Sequence, residues 1–172
     1  FARDSLVITD GLSASSMEQK SPSSEDLREF LDNGGSLLMA VQSPEQLNIH
    51  KDLLEDYFHY EYLDDEKEFD KLNYGTLKNE KRTFEMNGED SAQSATDITV
   101  MKAQQPGKLY VTFPDGRGAG IAVSQEGSSG FNYSAIYLGF RFESVTGEKE
   151  RNALMDDMLN RLYPNRNQMS LF

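Results

Sequence analysis

The chain has 172 residues and carries 17 basic against 29 acidic side chains, which gives a formal charge of −12. This charge excludes a typical nucleic-acid binder, which needs a basic surface to neutralise phosphates, and it disfavours docking on anionic lipid. Because the chain has no cysteine and only two histidines, disulfides, thiolate metal sites, cysteine nucleophiles and three-histidine metal sites are excluded. The length corresponds to one domain.

The first third of the chain predicts alternating strands and helices. Residues 5–10 are a short apolar, β-branched run that predicts a buried strand. Ser23 and Asp26 have the spacing of a capping box, which predicts a helix that ends at the glycine pair 34–35. Residues 36–41 are almost continuously apolar, which indicates a strand covered on both faces.

A second helix is predicted directly after that strand. Ser43 is suited to cap it, Pro44 occupies its first position, and the apolar spacing continues to about Phe58. Such alternation of strands and helices is typical of an α/β unit with a parallel sheet.

The pattern changes after Tyr60. Short strands, tight turns and polar loops predict an antiparallel region from about Phe69 to Val123, in which Pro114-Asp115-Gly116 forms a turn. The predicted elements are a strand at 60–62, an acidic turn at 64–68, a hairpin over 69–86, strands at 98–101, 108–113, 120–123 and 134–140, and a helix from about Thr146 to Pro164.

Several motifs that suggest chemistry are better explained by structure. Ser43 lacks the flanking glycines of a nucleophile elbow, so we interpret it as a helix cap. The glycine-rich residues 116–120 lack the spacing of a phosphate-binding loop and are interpreted as a hairpin. We interpret His50 and His59 as structural. Phe131 and Tyr133 are expected to pack against the sheet, with stacking on a sugar as the alternative.

The stretch 4–47, with its helix ending in Leu31-Asp32-Asn33-Gly34-Gly35, resembles the central part of a class I glutamine amidotransferase-like domain. Residues 138–143 and the closing helix around Arg151 resemble the end of non-catalytic members of that superfamily. Those members occur in large secreted proteins of Bacteroidetes-type bacteria. The resemblance implies a three-layer, mostly parallel, flavodoxin-like sheet with an antiparallel region in the second half.

The same resemblance implies that glutamine hydrolysis is absent. Gln42 stands near the place of the family's nucleophilic cysteine, and a glutamine side chain cannot attack an amide. If Glu143 matches the family's glutamate, Arg141 occupies the histidine place, where a permanently charged guanidinium cannot act as a base.

The sequence therefore predicts one α/β domain over residues 1–164 and a tail over 165–172. We predict no catalytic residues, no metal site and no cofactor. A candidate binding pocket is expected at the carboxyl ends of the strands, formed by Asp10, Gln42, Ser43, Arg141 and Glu143.

The favoured function is a non-catalytic structural or binding module of a larger extracytoplasmic bacterial protein. The alternative is a hydrolase- or lyase-associated domain that acts on polysaccharide or peptide. Family members carry further strand–helix units, so a strand from outside this sequence is expected among the strands at residues 5–9, 36–41 and 134–140. We therefore expect other domains of the same protein, or a partner chain that completes the sheet, as partners, and neither nucleic-acid binding nor membrane insertion.

Overall fold

A computed structural model describes residues 5–9, 22–42 and 44–164. The strands are β1 (Ser5–Thr9), β2 (Ser36–Ala40), β3 (Tyr60–Glu66), β4 (Lys71–Gly75), β5 (Lys81–Glu85), β6 (Ile98–Ala103), β7 (Lys108–Thr112), β8 (Gly118–Glu126) and β9 (Asn132–Leu138). The helices are α1 (Ser24–Asp32), α2 (Pro44–Ile49), α3 (Lys51–Tyr57) and α4 (Glu148–Leu162), with a 3-10 turn at Phe142–Ser144. No helix in these ranges is both long and apolar enough to cross a bilayer.

These strands form one mixed sheet. Its main path has the order β1-β2-β9-β8-β7-β4-β5, and the β3–β6 ribbon joins it through a pairing of β6 with β8. The pairings of β1 with β2 and of β2 with β9 are parallel. The pairings of all other neighbouring strands in the described ranges are antiparallel.

The predicted fold class, a mostly parallel, three-layer flavodoxin-like or amidotransferase-like sheet, is therefore wrong. A parallel pair needs a crossover of a dozen or more residues, whereas a short connection returns the chain as an antiparallel hairpin. Beyond Tyr60 the short connections at 76–80, 113–117 and 127–131 join antiparallel neighbours. The strand–helix alternation that suggested a parallel sheet stops before most of the sheet is built.

The parallel strands β1, β2 and β9 are direct neighbours. Leu37 of β2 lies opposite Leu6 of β1 and opposite Ala135 of β9. This register leaves no space for a further strand between them, which corrects the expectation that a strand from outside the sequence lies there.

Helices cover both faces of β2 and β9, and every residue of β2 is buried, as its apolar sequence predicts. On one face, α4 packs Leu154, Met158 and Leu162 against Leu38 and Ile136. On the other face, α1 and α3 contribute to a core that contains Leu27, Leu31, Leu37, Met39, Leu53, Leu54, Phe58, Tyr133, Ala135 and Tyr137.

Two local predictions need correction. The helix expected to continue to Phe58 is interrupted at His50, which separates α2 from α3. The acidic turn expected at 64–68 is partly strand, because Asp64, Asp65 and Glu66 continue β3 and pair with β6. Five of the seven β3 residues are exposed, which explains how a charged sequence can form this strand.

Candidate functional site

The carboxyl ends of β2 and β9 lie at the same edge of the sheet. Gln42 follows β2 and Arg141 follows β9, and the parallel register that aligns Met39 with Tyr137 places both residues beyond this edge. Glu143 lies two residues further, within the 3-10 turn. Asp10 and Ser43, the other two residues of the predicted pocket, lie outside the described residues.

Gln42 serves as a link between strands. Its side-chain amide donates hydrogen bonds to the backbone carbonyl of Asp97 and, over 3.0 Å, to the Asp97 carboxylate. The same carboxylate oxygen accepts a bond of 3.2 Å from the Thr96 hydroxyl. These bonds tie the end of β2 to the segment that leads into β6, so the described contacts of Gln42 explain its presence structurally.

Arg141 and Glu143 have a different environment. Both side chains are half-buried, and neither makes a hydrogen bond or an ion pair with any residue that the structure describes. The backbone around them is fixed, because Ser144 N donates to the carbonyl of Arg141 and Ala92 N donates to that of Glu143. A guanidinium and a carboxylate on a fixed turn are suited to bind a polar ligand, so their membership of a pocket stays a prediction.

An acidic cluster on the β3–β6 ribbon was not part of the predicted site. The Asp65 carboxylate accepts bonds from the hydroxyls of Tyr62 at 3.2 Å and Thr99 at 3.5 Å. Glu66 forms an ion pair of 2.8 Å with Arg117. Hydrogen bonding by the Glu68 amide, and then the contact with Arg117, lower the pKa of Glu66. No group of three acidic or histidine side chains within the described ranges is arranged to hold a metal ion.

Among the described residues, each carboxyl group whose pKa is shifted has its pKa lowered. Burial alone would raise the pKa of Asp32, but hydrogen bonds from Ser128 and Tyr57 lower it by more. The amide and guanidinium of Arg117 lower the pKa of Asp115, as contacts also do for Glu66. A carboxylic acid that donates a proton during catalysis needs a raised pKa, so these three groups are suited to accept hydrogen bonds.

The two aromatic residues before and within β9 differ in their burial. Tyr133 is fully buried, as expected, and its hydroxyl donates to the carbonyl of Tyr57 over 2.7 Å. Phe131 is 59% exposed, so the expectation that it packs against the sheet is wrong.

A groove at the opposite end of β9 was not among the predicted sites. It encloses about 900 Å³ and lies where the β4–β5 turn, the start of β7 and the end of α4 meet above β8 and β9. The groove has no local sequence motif because its walls come from five separate segments. Its lining residues include Leu77, Lys78, Lys81, Lys108, Leu109, Tyr110, Ser124, Ser134, Asn160 and Arg161.

Comparison with known proteins gives a likeness of fold. Neither a protein-family model nor a curated protein matches the chain. A catalytic mutant of Gan42B, a GH42 beta-galactosidase from G. stearothermophilus, matches with a TM-score of 0.50 and 20% identity, over 80% of this chain and 19% of that one.

Two further solved structures are similar at TM-scores of 0.47. A beta-galactosidase from Bacillus circulans sp. alkalophilus is 10% identical over 90% of this chain and 21% of its own. The exo-beta-1,4-mannosidase Op5Man5 from Opitutaceae bacterium strain TAV5 is 11% identical over 80% of this chain and 21% of its own. The chain therefore spans about a fifth of the length of these enzymes.

The match to a glycoside hydrolase corrects the predicted resemblance to class I glutamine amidotransferase-like domains. The features that suggested the resemblance were a buried strand, a helix that stops at glycine and an immediate second helix. Each has a general physical cause and occurs in many α/β units, so together they do not identify a family.

Proposed function

We propose that this chain is a domain associated with a glycoside hydrolase and that it contacts polysaccharide without cleaving it. The likeness of its fold to part of a beta-galactosidase carries the proposal. Because the match covers 19% of that chain, the corresponding unit is one part of a larger enzyme. This favours the polysaccharide-associated alternative over the amidotransferase-like module.

The state of the acidic side chains supports a role without cleavage. Most glycosidases use two carboxyl groups about 5 to 9.5 Å apart across the scissile bond, one of which has a raised pKa. Near the predicted pocket, the Asp97 carboxylate is already occupied by Gln42 and Thr96.

Affinity electrophoresis tests the binding part of this proposal. The purified chain is run through native gels that contain soluble galactan, mannan or polygalacturonate, with an acidic protein of similar size that binds no glycan as a control. We expect at least one polysaccharide to retard the chain relative to the control. Equal mobility in every gel would overturn the proposal.

A hydrolysis assay tests the absence of cleavage. The chain is incubated with nitrophenyl glycosides and with each polysaccharide, and released nitrophenol and reducing ends are measured. We expect no release above the background of a heat-inactivated sample. Release that disappears in Glu143→Gln would show that the chain is itself a hydrolase.

The expected extracytoplasmic location and the expected partner domains stay predictions. A domain associated with a polysaccharide-degrading enzyme is compatible with both.

A further inference from the structure

The groove at the start of β9 has an unusual charge for this protein. The chain as a whole carries −12, whereas the groove is lined by Lys78, Lys81, Lys108 and Arg161 and by a single acidic residue, Glu80. A concave site lined by one sign of charge concentrates oppositely charged ligands. The groove therefore reverses the electrostatic character of the rest of the molecule.

The three lysines are available to a ligand. Lys78, Lys81 and Lys108 are exposed, and none of them forms an ion pair with a residue that the structure describes. Arg161 differs, since its Nε contacts the Asp157 carboxylate at 2.8 Å and its NH2 group donates to the carbonyl of Gly75. The attraction for an anion therefore comes mainly from the lysines.

Hydrogen bonds fix the walls that carry these lysines. The turn between β4 and β5 is closed by bonds from Thr76 N to the carbonyl of Glu80 and from Asn79 N to that of Thr76. Asp157 of α4 accepts bonds from Leu77 N at 2.9 Å and from the Tyr110 hydroxyl at 2.8 Å. The turn, β7 and α4 are thus joined at one carboxylate, so the groove exists before a ligand binds.

The remaining lining fits a sugar. Ser124 and Asn160 offer hydroxyl and amide groups, while Leu77, which is 51% exposed, and Ala122 provide an apolar surface beside them. A pyranose ring presents hydroxyls at its rim and C–H groups on its faces, so it needs both kinds of contact. A volume of about 900 Å³ lies within the usual range for ligand pockets.

We infer that this groove binds an acidic oligosaccharide, with the uronate carboxylates placed against Lys78, Lys81 and Lys108. The inference rests on the proposed association with polysaccharide and narrows it to acidic chains. Residues 165–172, which follow the groove residue Pro164, contain one basic and no acidic side chain, so their charge does not complement the groove.

Calorimetric titration with oligogalacturonate at low ionic strength tests the inference. We expect the triple variant Lys78→Gln/Lys81→Gln/Lys108→Gln to bind at least ten times more weakly than the unmodified chain. The control, Lys67→Gln/Lys71→Gln/Lys102→Gln, removes the same charge at three exposed positions outside the groove and should bind unchanged. Circular dichroism of both variants checks that they fold.

Other ligands separate the inference from the proposed function. Binding of neutral galactan alone would overturn the acidic groove and leave the proposed function intact, and binding of no glycan would overturn both. Equal binding of poly-glutamate would overturn the inference, because the groove would then accept any polyanion. A tenfold gain in affinity for oligogalacturonate on removal of residues 165–172 would identify the chain's own tail as the occupant and overturn the inference.

Discussion

His50 is a buried polar residue at the break between α2 and α3. Its side chain is 1% exposed, and its Nδ1 lies 2.9 Å from the hydroxyl of Ser24 at the start of α1. The same hydroxyl donates to the carbonyl of Ile49. Burial lowers the pKa of His50 below its ordinary value of 6.5, so folding favours the neutral form of this imidazole.

This burial predicts a loss of stability in mild acid. The contribution of His50 to stability is complete above its pKa in the unfolded chain, near 6.5. It declines as the pH falls toward the lower pKa of His50 in the folded protein, because the unfolded chain takes up the proton more readily. For one titrating group, the free energy of unfolding changes by at most about 1.4 kcal/mol per pH unit. Urea unfolding between pH 7.5 and pH 5.5 measures it.

The variant His50→Asn should show a smaller loss over this range, because it has no imidazole to titrate, while His59→Asn should retain the loss. The carboxyl groups with a lowered pKa, Asp32, Glu66 and Asp115, lose their contribution only in stronger acid. An equal decline in both variants would show that His50 is not responsible.

Tyr74 and Tyr110 are adjacent buried tyrosines with different hydrogen bonding. Their rings lie 6.0 Å apart. The Tyr110 hydroxyl donates to Asp157 over 2.8 Å, and burial, followed by the nearby Asp157, raises its pKa, which keeps this donor protonated. The Tyr74 hydroxyl is buried and forms no well-aligned hydrogen bond with any residue that the structure describes, although the Arg82 guanidinium interacts with it electrostatically.

Phenylalanine substitutions at the two positions should therefore have different effects on stability. Tyr74→Phe removes an unsatisfied polar atom, and the free energy of unfolding should stay equal or rise by up to about 1 kcal/mol. Tyr110→Phe removes a bond to a charged acceptor and should cost about 2 kcal/mol. Chemical denaturation of both variants measures the difference, and a larger loss for Tyr74→Phe would contradict it.

At the scale of elements, Gly139 lies where β6, β8 and β9 meet. Its amide donates to the carbonyl of Ala119 and its own carbonyl accepts from Thr99 N, both at 2.8 Å. A Cβ atom at this position would lie 2.8 Å from the Thr99 carbonyl oxygen and 2.7 Å from the Met101 side chain. The backbones of neighbouring strands approach each other so closely that only glycine fits.

Gly139→Ala should therefore destabilise the protein by about 1–3 kcal/mol, the usual range for an overpacked interior site. Gly75→Ala is the matched control, since a Cβ atom at Gly75 would meet nothing within 4 Å, and its unfolding midpoint should change little. Thermal unfolding of the two variants checks this, and equal midpoints would show that the strands can move apart without loss.

Contacts between residues close in the chain could be predicted from the sequence, whereas contacts between distant residues could not. The capping box of α1 was predicted because Ser23 and Asp26 are three residues apart, and the structure confirms it. The break at His50 was missed because it involves a contact with Ser24, 26 residues away. The pairing of Asp64 to Glu66 with β6 was missed because it depends on residues 98–100, far along the chain.

The candidate sites show the same limit. The common edge beyond Gln42 and Arg141 follows from two buried strands that run parallel, which the apolar sequences indicated. The groove could not be predicted, since Lys78, Lys108 and Asn160 meet only after β4, β7 and α4 have packed together. The order of strands in the sheet, which no local pattern contains, decides which side chains share a surface.

At the scale of the whole molecule, β1 is the strand at one end of the sheet. It pairs with β2 over residues 5–9, and no other strand in the described ranges pairs with its second edge. The outer edge of a parallel strand presents backbone amides and carbonyls that can pair with another chain. At the far end of the sheet, β5 is a short edge strand that carries Lys81 and Arg82, which disfavours such pairing.

We therefore predict that the edge of β1 pairs with a strand from a second copy of this chain. The apolar sequence of β1 is typical of a strand covered on both sides of the sheet, and each buried unpaired backbone group would cost about 1–3 kcal/mol.

Sedimentation over a range of concentrations, combined with hydrogen exchange of residues 5–9, measures the pairing. Association should grow with concentration and slow the exchange of these amides, whereas the amides of β5 should exchange at an unchanged rate. A monomer at every concentration, with the amides of β1 already fully protected, would contradict the prediction, because the edge would then be satisfied within the chain itself.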